Sequence, residues 1–207
     1  HGMVFSQIQV GPTGTNCSLL GDGAAGVCFV ADPGDEPERV LGMVRESGLA
    51  LQAILLTHGH YDHTGGVAGI LAEYPKIPVY IHEKELLGPG GNSRYQYAGA
   101  GENQRIYGEG DTLALGGTTI RVLHTPGHSR GSVVLLWGDV MVAGDTLFAG
   151  SCGRCDLFGG SMEEMFASLK RLGSLSGDYR VYPGHGPSTT LETERRTNPY
   201  VRHAMQL

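Results

Sequence analysis

The sequence predicts a mixed α and β protein of the α/β class, in which two β-sheets pack face to face with helices outside, a four-layer αββα arrangement. Each half of the chain runs from β-hairpin patterns through an amphipathic helix pattern to a short apolar strand. Hydrophobic residues make up 40% and charged residues 17% of the 207 residues, which is typical of a globular chain. The 34 glycines indicate many tight turns between short elements.

The first half contains strand patterns that lead into an amphipathic helix and then a buried strand. In chain order, strands are predicted at Val4–Val10, Cys17–Leu20, Gly26–Ala31 and Ala53–Leu56. Before the last of these, Asp35 is expected to cap a helix that has Pro37 and Glu38 in its first turn, a capping-box arrangement, and ends at Gly48. The buried face of this helix would carry Val40, Leu41 and Val44.

The middle of the chain predicts a helix, a strand and a long loop. The helix follows Gly65-Gly66 and runs to about Tyr74, the strand covers Pro78–His82, and residues 88–104 form the loop. Side chains of this loop could line a cleft, but a solvated loop is the favoured interpretation. These side chains are Arg94, Tyr95 and Tyr97.

The second half predicts two hairpins, a helix, a short strand and a final helix. In order, they are Asp111–Leu115 with Thr118–His124, Val133–Trp137 with Val140–Ala143, a helix ending at Gly173, Val181-Tyr182, and Leu191–Thr197 before Asn198-Pro199. Ser161 and Glu164 form a capping box at the start of the first of these helices. Its core face would carry Met162, Met165, Phe166, Leu169 and Leu172.

Composition disfavours several functional classes. The formal net charge is −6 and no Lys or Arg run is present, which disfavours nucleic acid as a partner. No apolar run approaches the ~20 residues that span a bilayer, and no secretory signal is visible, so we expect no membrane association. Four cysteines are too few for a disulfide scaffold and indicate a cytoplasmic protein with reduced thiols. We expect one domain over residues 3–207, a monomer or small homo-oligomer, with His1-Gly2 as an expression scar.

Four side chains able to bind a metal follow strand Ala53–Leu56 at once. They lie in Thr57-His58-Gly59-His60-Tyr61-Asp62-His63. A spacing of two places both imidazoles of His58 and His60 on one side of an extended backbone. This pair could bind one metal, and the next pair, Asp62 and His63, could bind a neighbouring metal. A lone histidine in a glycine-rich loop is usually a surface residue, but four such side chains in six positions seldom arise by chance.

Three further candidates follow other predicted strands. They are His128, Asp145 and His185, and each stands next to a glycine, which permits close approach of the backbone to an ion. Five histidines and two aspartates would supply enough ligands for two open metal sites and a bridging group. Imidazole and carboxylate ligands suit Zn(II), the favoured metal, and also Fe or Mn.

The segment 57–63 matches the T-H-x-H-x-D-H signature and resembles the metallo-β-lactamase superfamily, whose αββα sandwich the whole chain is similar to. The resemblance implies ligands His58, His60 and His128 for a first metal, Asp62, His63 and His185 for a second, and a bridging Asp145. An aspartate at 145, Gly153-Arg154 and Gly184-His185-Gly186-Pro187 resemble the small single-domain members of the glyoxalase II group. Because 22 residues follow His185 in this sequence, we expect the helical domain of full-length glyoxalase II to be absent.

This resemblance implies a thioester hydrolase acting on S-2-hydroxyacylglutathione or a related small acyl thioester. A hydroxide shared by two metal ions would attack the carbonyl carbon, and the metals would stabilise the oxyanion. Asp62 could orient the nucleophile or take its proton. Arg154 could bind a substrate carboxylate, or instead form a structural salt bridge with Asp156.

Other interpretations remain open at this point. A persulfide dioxygenase of the same superfamily would bind one iron through His58, His128 and Asp145, and its Gly-Arg-x-Asp motif matches residues 153–156. Lactonases, phosphodiesterases and nucleases share the fold, and a metal-binding module without catalysis is the non-enzyme alternative. Cys152-x-x-Cys155 is best explained as coincidence. Structural roles are favoured for His82 and His124.

Overall fold

The structure is a computed structural model that describes residues 2–207. Two six-stranded β-sheets lie at the centre of the molecule. His1, half of the predicted scar, lies outside the described residues. Sheet one contains β1 (Met3–Val10), β2 (Thr15–Asp22), β3 (Val27–Ala31), β4 (Ala50–Leu55), β5 (Val79–Ile81) and β6 (Gln104–Ile106). These strands lie side by side in chain order, antiparallel as far as β3 and parallel from β3 to β6. The carboxyl ends of β3 to β6 therefore meet at one edge.

Sheet two is built from the second half of the chain. It contains β7 (Thr112–Leu115), β8 (Thr118–His124), β9 (Val133–Trp137), β10 (Val140–Gly144) and, after a small hairpin of β11 (Leu147–Phe148) and β12 (Ser151–Cys152), β13 (Arg180–Pro183) and β14 (Thr189–Thr190). The strand order is β14-β13-β10-β9-β8-β7. Because β8 and β10 are both antiparallel to β9, and β13 is parallel to β10, strands β8, β10 and β13 end at the same edge.

The helices cover the outer face of each sheet. They are α1 (Pro37–Ser47), α2 (Tyr61–Thr64), α3 (Val67–Glu73), α4 (Met162–Gly173), α5 (Leu191–Thr197) and α6 (Pro199–Ala204), with single 3-10 turns at Glu83–Glu85 and Gly101–Asn103. Val40 and Val44 of α1 and Ile70 of α3 are buried against sheet one, and Met165 and Leu169 of α4 are buried in the cluster on sheet two. Among residues 2–207, no helix is long and apolar enough to cross a membrane.

A third apolar layer lies between the sheets and completes the four-layer αββα sandwich that the sequence predicted. Its members include Leu20, Phe29 and Leu55 from sheet one and Leu135 and Trp137 from sheet two. Trp137 is fully buried, and its indole N–H donates to Thr118 Oγ1 at 2.9 Å, so the large ring leaves no polar group unpaired.

Two helix predictions were wrong in detail. The cap of α1 is Glu36, in a left-handed conformation with φ 48°, and no side chain caps the helix. Asp35 instead accepts a hydrogen bond from the N–H of Glu36, which takes it out of the capping position. In α4, Ser161 does accept from Glu164 N–H as predicted, but Met162 is 39% exposed and does not join the core face.

The sequence pattern also missed several short elements. The sequence predicts the end of α5 at Asn198-Pro199, but a further helix, α6, begins at Pro199. Proline is also favoured in the first turn of a helix, and Asn198 caps α6 by accepting from Tyr200 N–H. Strand β6 lies at the end of the predicted long loop, and the hairpin of β11 and β12 has only two residues in each strand. Such short strands carry too little periodicity to be recognised.

Candidate metal centre

The segment 57–63 crosses from strand to helix at the carboxyl end of β4. His60 still has extended backbone angles, φ −64° and ψ 143°, and the single turn of α2 begins after it. His58 and His60 therefore lie on extended chain, with ring centroids 4.7 Å apart, whereas Asp62 and His63 are presented from a helical turn. This change of backbone conformation separates the four side chains into two pairs.

The three partners predicted from the second half reach the same point from sheet two. His128 follows β8, Asp145 follows β10 and His185 follows β13, so all three leave the edge at which these strands end. The structure therefore brings together every side chain that the sequence nominated as a metal ligand.

The seven side chains form two adjacent groups, in each of which the possible ligand atoms lie within 4.8 Å of one another. The first group is buried and consists of His58, His60 and His128. The second consists of Asp62, His63, Asp145 and His185. In the first group, His60 Nδ1 lies 3.1 Å from His128 Nε2. In the second, His185 Nε2 lies 3.0 Å from Asp62 Oδ2 and 3.3 Å from His63 Nε2.

The carboxylate of Asp145 lies between the two groups. Its Oδ2 is 3.4 Å from His128 Nε2 and 3.8 Å from His58 Nε2 in the first group. Towards the second, Oδ1 is 3.3 Å from His63 Nε2 and Oδ2 is 3.4 Å from His185 Nε2. One carboxylate thus contacts histidines of both groups, as a bridging ligand would.

The donor set fits divalent metal ions. Three atoms of the site, His58 Nε2, His60 Nε2 and Asp145 Oδ1, are buried without a hydrogen-bond partner among the described residues. Leaving such atoms unpaired costs about 1–3 kcal/mol each, which coordination would recover. Imidazole nitrogen and carboxylate oxygen are the ligands that zinc, iron and manganese share.

Hydrogen bonds to the second ring nitrogens hold four of the five histidines in orientation. His128 Nδ1 contacts the carbonyl oxygen of Arg154 at 2.7 Å, and His185 Nδ1 contacts that of Thr13 at 3.3 Å. His63 Nδ1 contacts Asp32 Oδ2 at 2.9 Å, and His58 Nδ1 contacts Thr57 Oγ1 at 3.0 Å. Such outer contacts fix the ring and its tautomer in metal sites.

Asp32, which the sequence pattern assigned only to a turn, lies against the candidate metal centre. It is 2% exposed, and its Oδ2 accepts from Thr57 Oγ1 at 2.7 Å and from His63 Nδ1 at 2.9 Å. Oδ1 accepts from Thr57 N–H at 2.9 Å, and Thr57 Oγ1 lies 3.0 Å from His58 Nδ1. Asp32 thereby orients one histidine of each group. Its only sequence signal is a carboxylate directly after an apolar run, and the left-handed backbone, φ 53°, is visible only in the structure.

Burial and charge divide the histidines electrostatically. Burial holds the pKa of His58 well below its usual value, and burial together with His128 lowers the pKa of His60 to about 4, so both rings are neutral. Hydrogen bonds with Asp145 and Asp62 raise the pKa of His185 to about 10. The second group therefore attracts positive charge, whereas the first offers neutral imidazoles.

The carboxylate between the groups is ionised. Burial alone would raise the pKa of Asp145, but the neighbouring His63 and His185 outweigh burial and hold this pKa well below its usual value. An ionised carboxylate in contact with both groups suits a site that binds cations.

A cavity of about 890 Å³ opens onto these side chains. Its lining includes His60, Asp62, His128, Asp145 and His185, and its walls add Val10, Pro12, Thr13, Tyr61, Arg94, Tyr95, Phe148, Cys152, Arg154 and Leu157. The interpretation of the loop 88–104 as merely solvated was wrong for two residues. Arg94 and Tyr95 line this cavity, and the Tyr95 ring lies 5.8 Å from that of His60. Tyr97 instead packs against the core under sheet one.

Arg154 forms the salt bridge with Asp156 that the sequence left open, and it also lines the cavity. Its Nε and Nη2 donate to the two oxygens of Asp156 at 2.7 and 2.9 Å, and its side chain lines the cavity. The guanidinium is 63% exposed and retains donors for a ligand. Cys152 and Cys155 are free thiols, and burial raises the pKa of Cys152 to about 11, so it stays protonated at neutral pH.

Comparison with known proteins identifies the class that this fold and site define. Residues 10–185 match the family model of the metallo-beta-lactamase superfamily, so the chain belongs to that superfamily. The chain is 35% identical to the probable metallo-hydrolase YqgX of Bacillus subtilis, over 96% of this chain and 98% of YqgX. It is 43% identical to a hydroxyacylglutathione hydrolase of Cupriavidus taiwanensis, over 75% of this chain and 58% of that protein.

Solved structures show the same fold. The BLEG-1 B3 metallo-beta-lactamase superposes with a TM-score of 0.84 at 35% identity, covering 96% of this chain and 99% of that one. TTHA1623, in a di-iron-bound form, gives 0.80 at 41% identity, covering 94% and 99%. ETHE1 from Myxococcus xanthus gives 0.81 at 29% identity, covering 99% and 90%. The chain is therefore a member of a metallo-hydrolase superfamily.

Proposed function

We propose that this protein is a metal-dependent thioester hydrolase of the glyoxalase II type, acting on S-2-hydroxyacylglutathione or a related small acyl thioester. The similarity to hydroxyacylglutathione hydrolases, at 43% and 44% identity over 75% of this chain, supports the reaction class. The chain spans only 58% and 55% of the length of those relatives. Glutathione as the thiol carrier is therefore proposed here and does not follow from the similarity alone. The partner is a small molecule, not a nucleic acid.

The observation that carries the proposal is the position of Asp145 between two complete groups of possible ligands. We infer that His58, His60 and His128 would hold one metal ion, that Asp62, His63 and His185 would hold a second, and that Asp145 would serve both. Zn is the favoured metal, and the di-iron form of TTHA1623 makes Fe the first alternative to test. Two bound metal ions supply a hydroxide nucleophile near neutral pH and stabilise negative charge on a carbonyl oxygen.

The side chains around the ligands would select and orient the substrate. Asp62 lines the cavity with its Oδ2 next to His185, and this carboxylate is placed to orient the nucleophile or receive its proton. Tyr61, Phe148 and Leu157 give the cavity apolar walls that suit an acyl chain. At its rim, Arg154 offers a charged donor for a carboxylate of the thiol carrier.

A mononuclear-iron persulfide dioxygenase is a second candidate, favoured by the Arg154–Asp156 ion pair at the cavity rim, which forms from the Gly-Arg-x-Asp motif. That chemistry would use only His58, His128 and Asp145. It leaves the other four converging side chains without a role, and this favours the two-metal hydrolase.

Elemental analysis of the purified protein, paired with a thioester panel, tests the proposal. We expect two metal ions per chain and thiol release from S-lactoylglutathione or another small acyl thioester. A chromogenic β-lactam and a phosphodiester complete the panel. One iron per chain, with oxygen uptake on glutathione persulfide, would establish the dioxygenase instead. Protein that binds metal and turns over none of these compounds would indicate a binding module.

A further inference from the structure

A buried carboxylate outside the ligand groups connects the two segments that carry the first group. Glu85 lies in the 3-10 turn after β5, the strand next to β4, and is 2% exposed. Its Oε1 accepts from the N–H of Gly59 at 2.7 Å, and its Oε2 accepts from the N–H of Gly131 at 2.8 Å. Gly59 stands between the two histidines of the segment 57–63, and Gly131 lies three residues after His128.

The chain around Glu85 is packed so closely that a side chain added at either glycine would force a neighbouring atom to shift. A Cβ added at Gly131 would lie 2.9 Å from Glu85 Cγ, and one at Gly59 would lie 3.0 Å from the Glu85 carbonyl oxygen. Both oxygens of the carboxylate are needed as acceptors, because each faces a buried backbone N–H. Glu85 thus joins the ligand segment of sheet one to that of sheet two at fixed separation.

We propose that Glu85 is the positioning residue of the first metal group, setting the distance between the pair His58 and His60 and their partner His128. The two segments meet where His60 Nδ1 and His128 Nε2 are 3.1 Å apart. Among the described residues, Glu85 forms no hydrogen bond or ion pair with the ligand side chains, and it acts through the backbone N–H groups of Gly59 and Gly131. The inference rests on the proposed metal site, not on the substrate assigned to it.

The substitution Glu85→Gln tests this role with little change in volume. A carboxamide can accept from only one of the two N–H groups, and its NH2 would face the other donor at hydrogen-bonding distance. We expect the metal affinity of the first group to fall by about 10- to 100-fold, the range typical when an outer contact of a metal site is lost. The second group, which Glu85 does not contact, should keep wild-type affinity.

Glu194→Gln is the matched control. Glu194 is also 2% exposed, and its oxygens accept from Gly150 N–H, Thr189 Oγ1 and Asn198 Nδ2, none of which carries a metal ligand. This variant should lose comparable thermal stability and bind both metals as the wild type does. The metal measured is zinc, in chelator-buffered titrations of the full chain.

A second readout tests the role of Glu85 without measuring catalysis, and a second variant is available if Glu85→Gln does not fold. In the metal-free protein, amide hydrogen exchange should become faster at Gly59 or Gly131 in Glu85→Gln and stay unchanged there in Glu194→Gln. If Glu85→Gln does not fold, Gly131→Ala displaces the same carboxylate and should weaken the same metal.

The inference fails if Glu85→Gln binds both metals with wild-type affinity, or if Glu194→Gln weakens them equally. Wild-type protein that binds two metals but cleaves no thioester would refute the proposed reaction and leave this inference standing. The two proposals therefore fail on different measurements.

Discussion

The substitution Asp32→Asn should disable metal ligands in both groups while leaving the fold intact. Asparagine tolerates the left-handed backbone at this position, φ 53°, where alanine would be strained. It also retains an acceptor for Thr57 N–H. The change therefore isolates one property, because an oxygen that accepts hydrogen bonds from Thr57 Oγ1 and His63 Nδ1 is replaced by an NH2 that donates.

The consequence follows from counting protons. A carboxylate only accepts, so the Thr57 hydroxyl and His63 Nδ1 both donate to Asp32. A histidine must be neutral to bind a metal, and neutral His63 then has its lone pair on Nε2, which faces Asp145 and His185. The Thr57 hydroxyl, having donated its proton, accepts from His58 Nδ1, which leaves the lone pair of His58 on Nε2 as well. With asparagine at 32, both rings would be driven to carry their proton on Nε2, where a metal should bind.

The magnitude is set by the loss of one outer contact in each group. Each loss should weaken metal affinity by about 10- to 100-fold. Stability of the metal-free protein should fall by about 2 kcal/mol, because two hydrogen bonds to a charged acceptor become neutral ones. For a chain of this length, that lowers Tm by roughly 4–8 °C. The protein should remain folded but bind metal poorly.

Zinc titration in chelator buffers measures the metal affinity, and NMR of the imidazole nitrogens measures the tautomers of His58 and His63. Asp139→Asn is the control, since Asp139 pairs with Arg180 at the surface and should change neither. An Asp32→Asn variant that binds two zinc ions at wild-type affinity, with unchanged tautomers of His58 and His63, would refute the reasoning.

Three further predictions follow from other contacts. Asp145→Asn should lower the metal content and reduce hydrolysis by at least about 100-fold, because its carboxylate contacts both groups; elemental analysis showing two tightly bound metals would contradict this. Arg154→Ala should raise KM by about 10-fold for thioesters with a free carboxylate but not for neutral ones, whereas equal effects on both would argue against a substrate contact. A hydrogen bond from Arg171 lowers the pKa of Glu109 to about 2, so Arg171→Ala should return it towards 4.5 in NMR titrations. Because the folded-state pKa is depressed, the pair stabilises the protein above pH 4.5 and loses its effect as pH falls towards 2; since both side chains are about half exposed, the effect should stay below ~1 kcal/mol.

The sequence nominated the seven side chains that converge at the candidate site because their signals are local. Four of the seven lie within six positions, and the other three each follow a strand pattern beside a glycine. Whether these residues lie close together depends on the order and direction of the strands, and a strand pattern predicts where strands occur but not how they are arranged in a sheet. The strand directions that bring the ends of β8, β10 and β13 to one edge appear only in the sheet order.

The positioning residues could not be predicted from the sequence because they act over long separations. Asp32 contacts residues 25 and 31 positions away, and Glu85 contacts residues 26 and 46 positions away. Three of the five hydrogen bonds that these two carboxylates accept come from backbone N–H groups, which every residue except proline has and no sequence pattern marks. Glu85 stands among charged residues in a 3-10 turn and looks like a surface side chain until the fold buries it.

Each ligand group straddles the two sheets, and beside each group one buried polar side chain from the first half of the chain bonds to backbone of the second half. Glu85 reaches Gly131 beside the first group. Asn16 of β2 donates to the carbonyl oxygens of Pro183 and Gly186, both at 2.9 Å, on either side of His185 in the second. The apolar layer between the sheets resists separation but is non-directional, so it cannot fix the distance between their edges to the accuracy that coordination needs. We therefore expect changes at these contacts to alter metal affinity by more than their effect on stability would suggest.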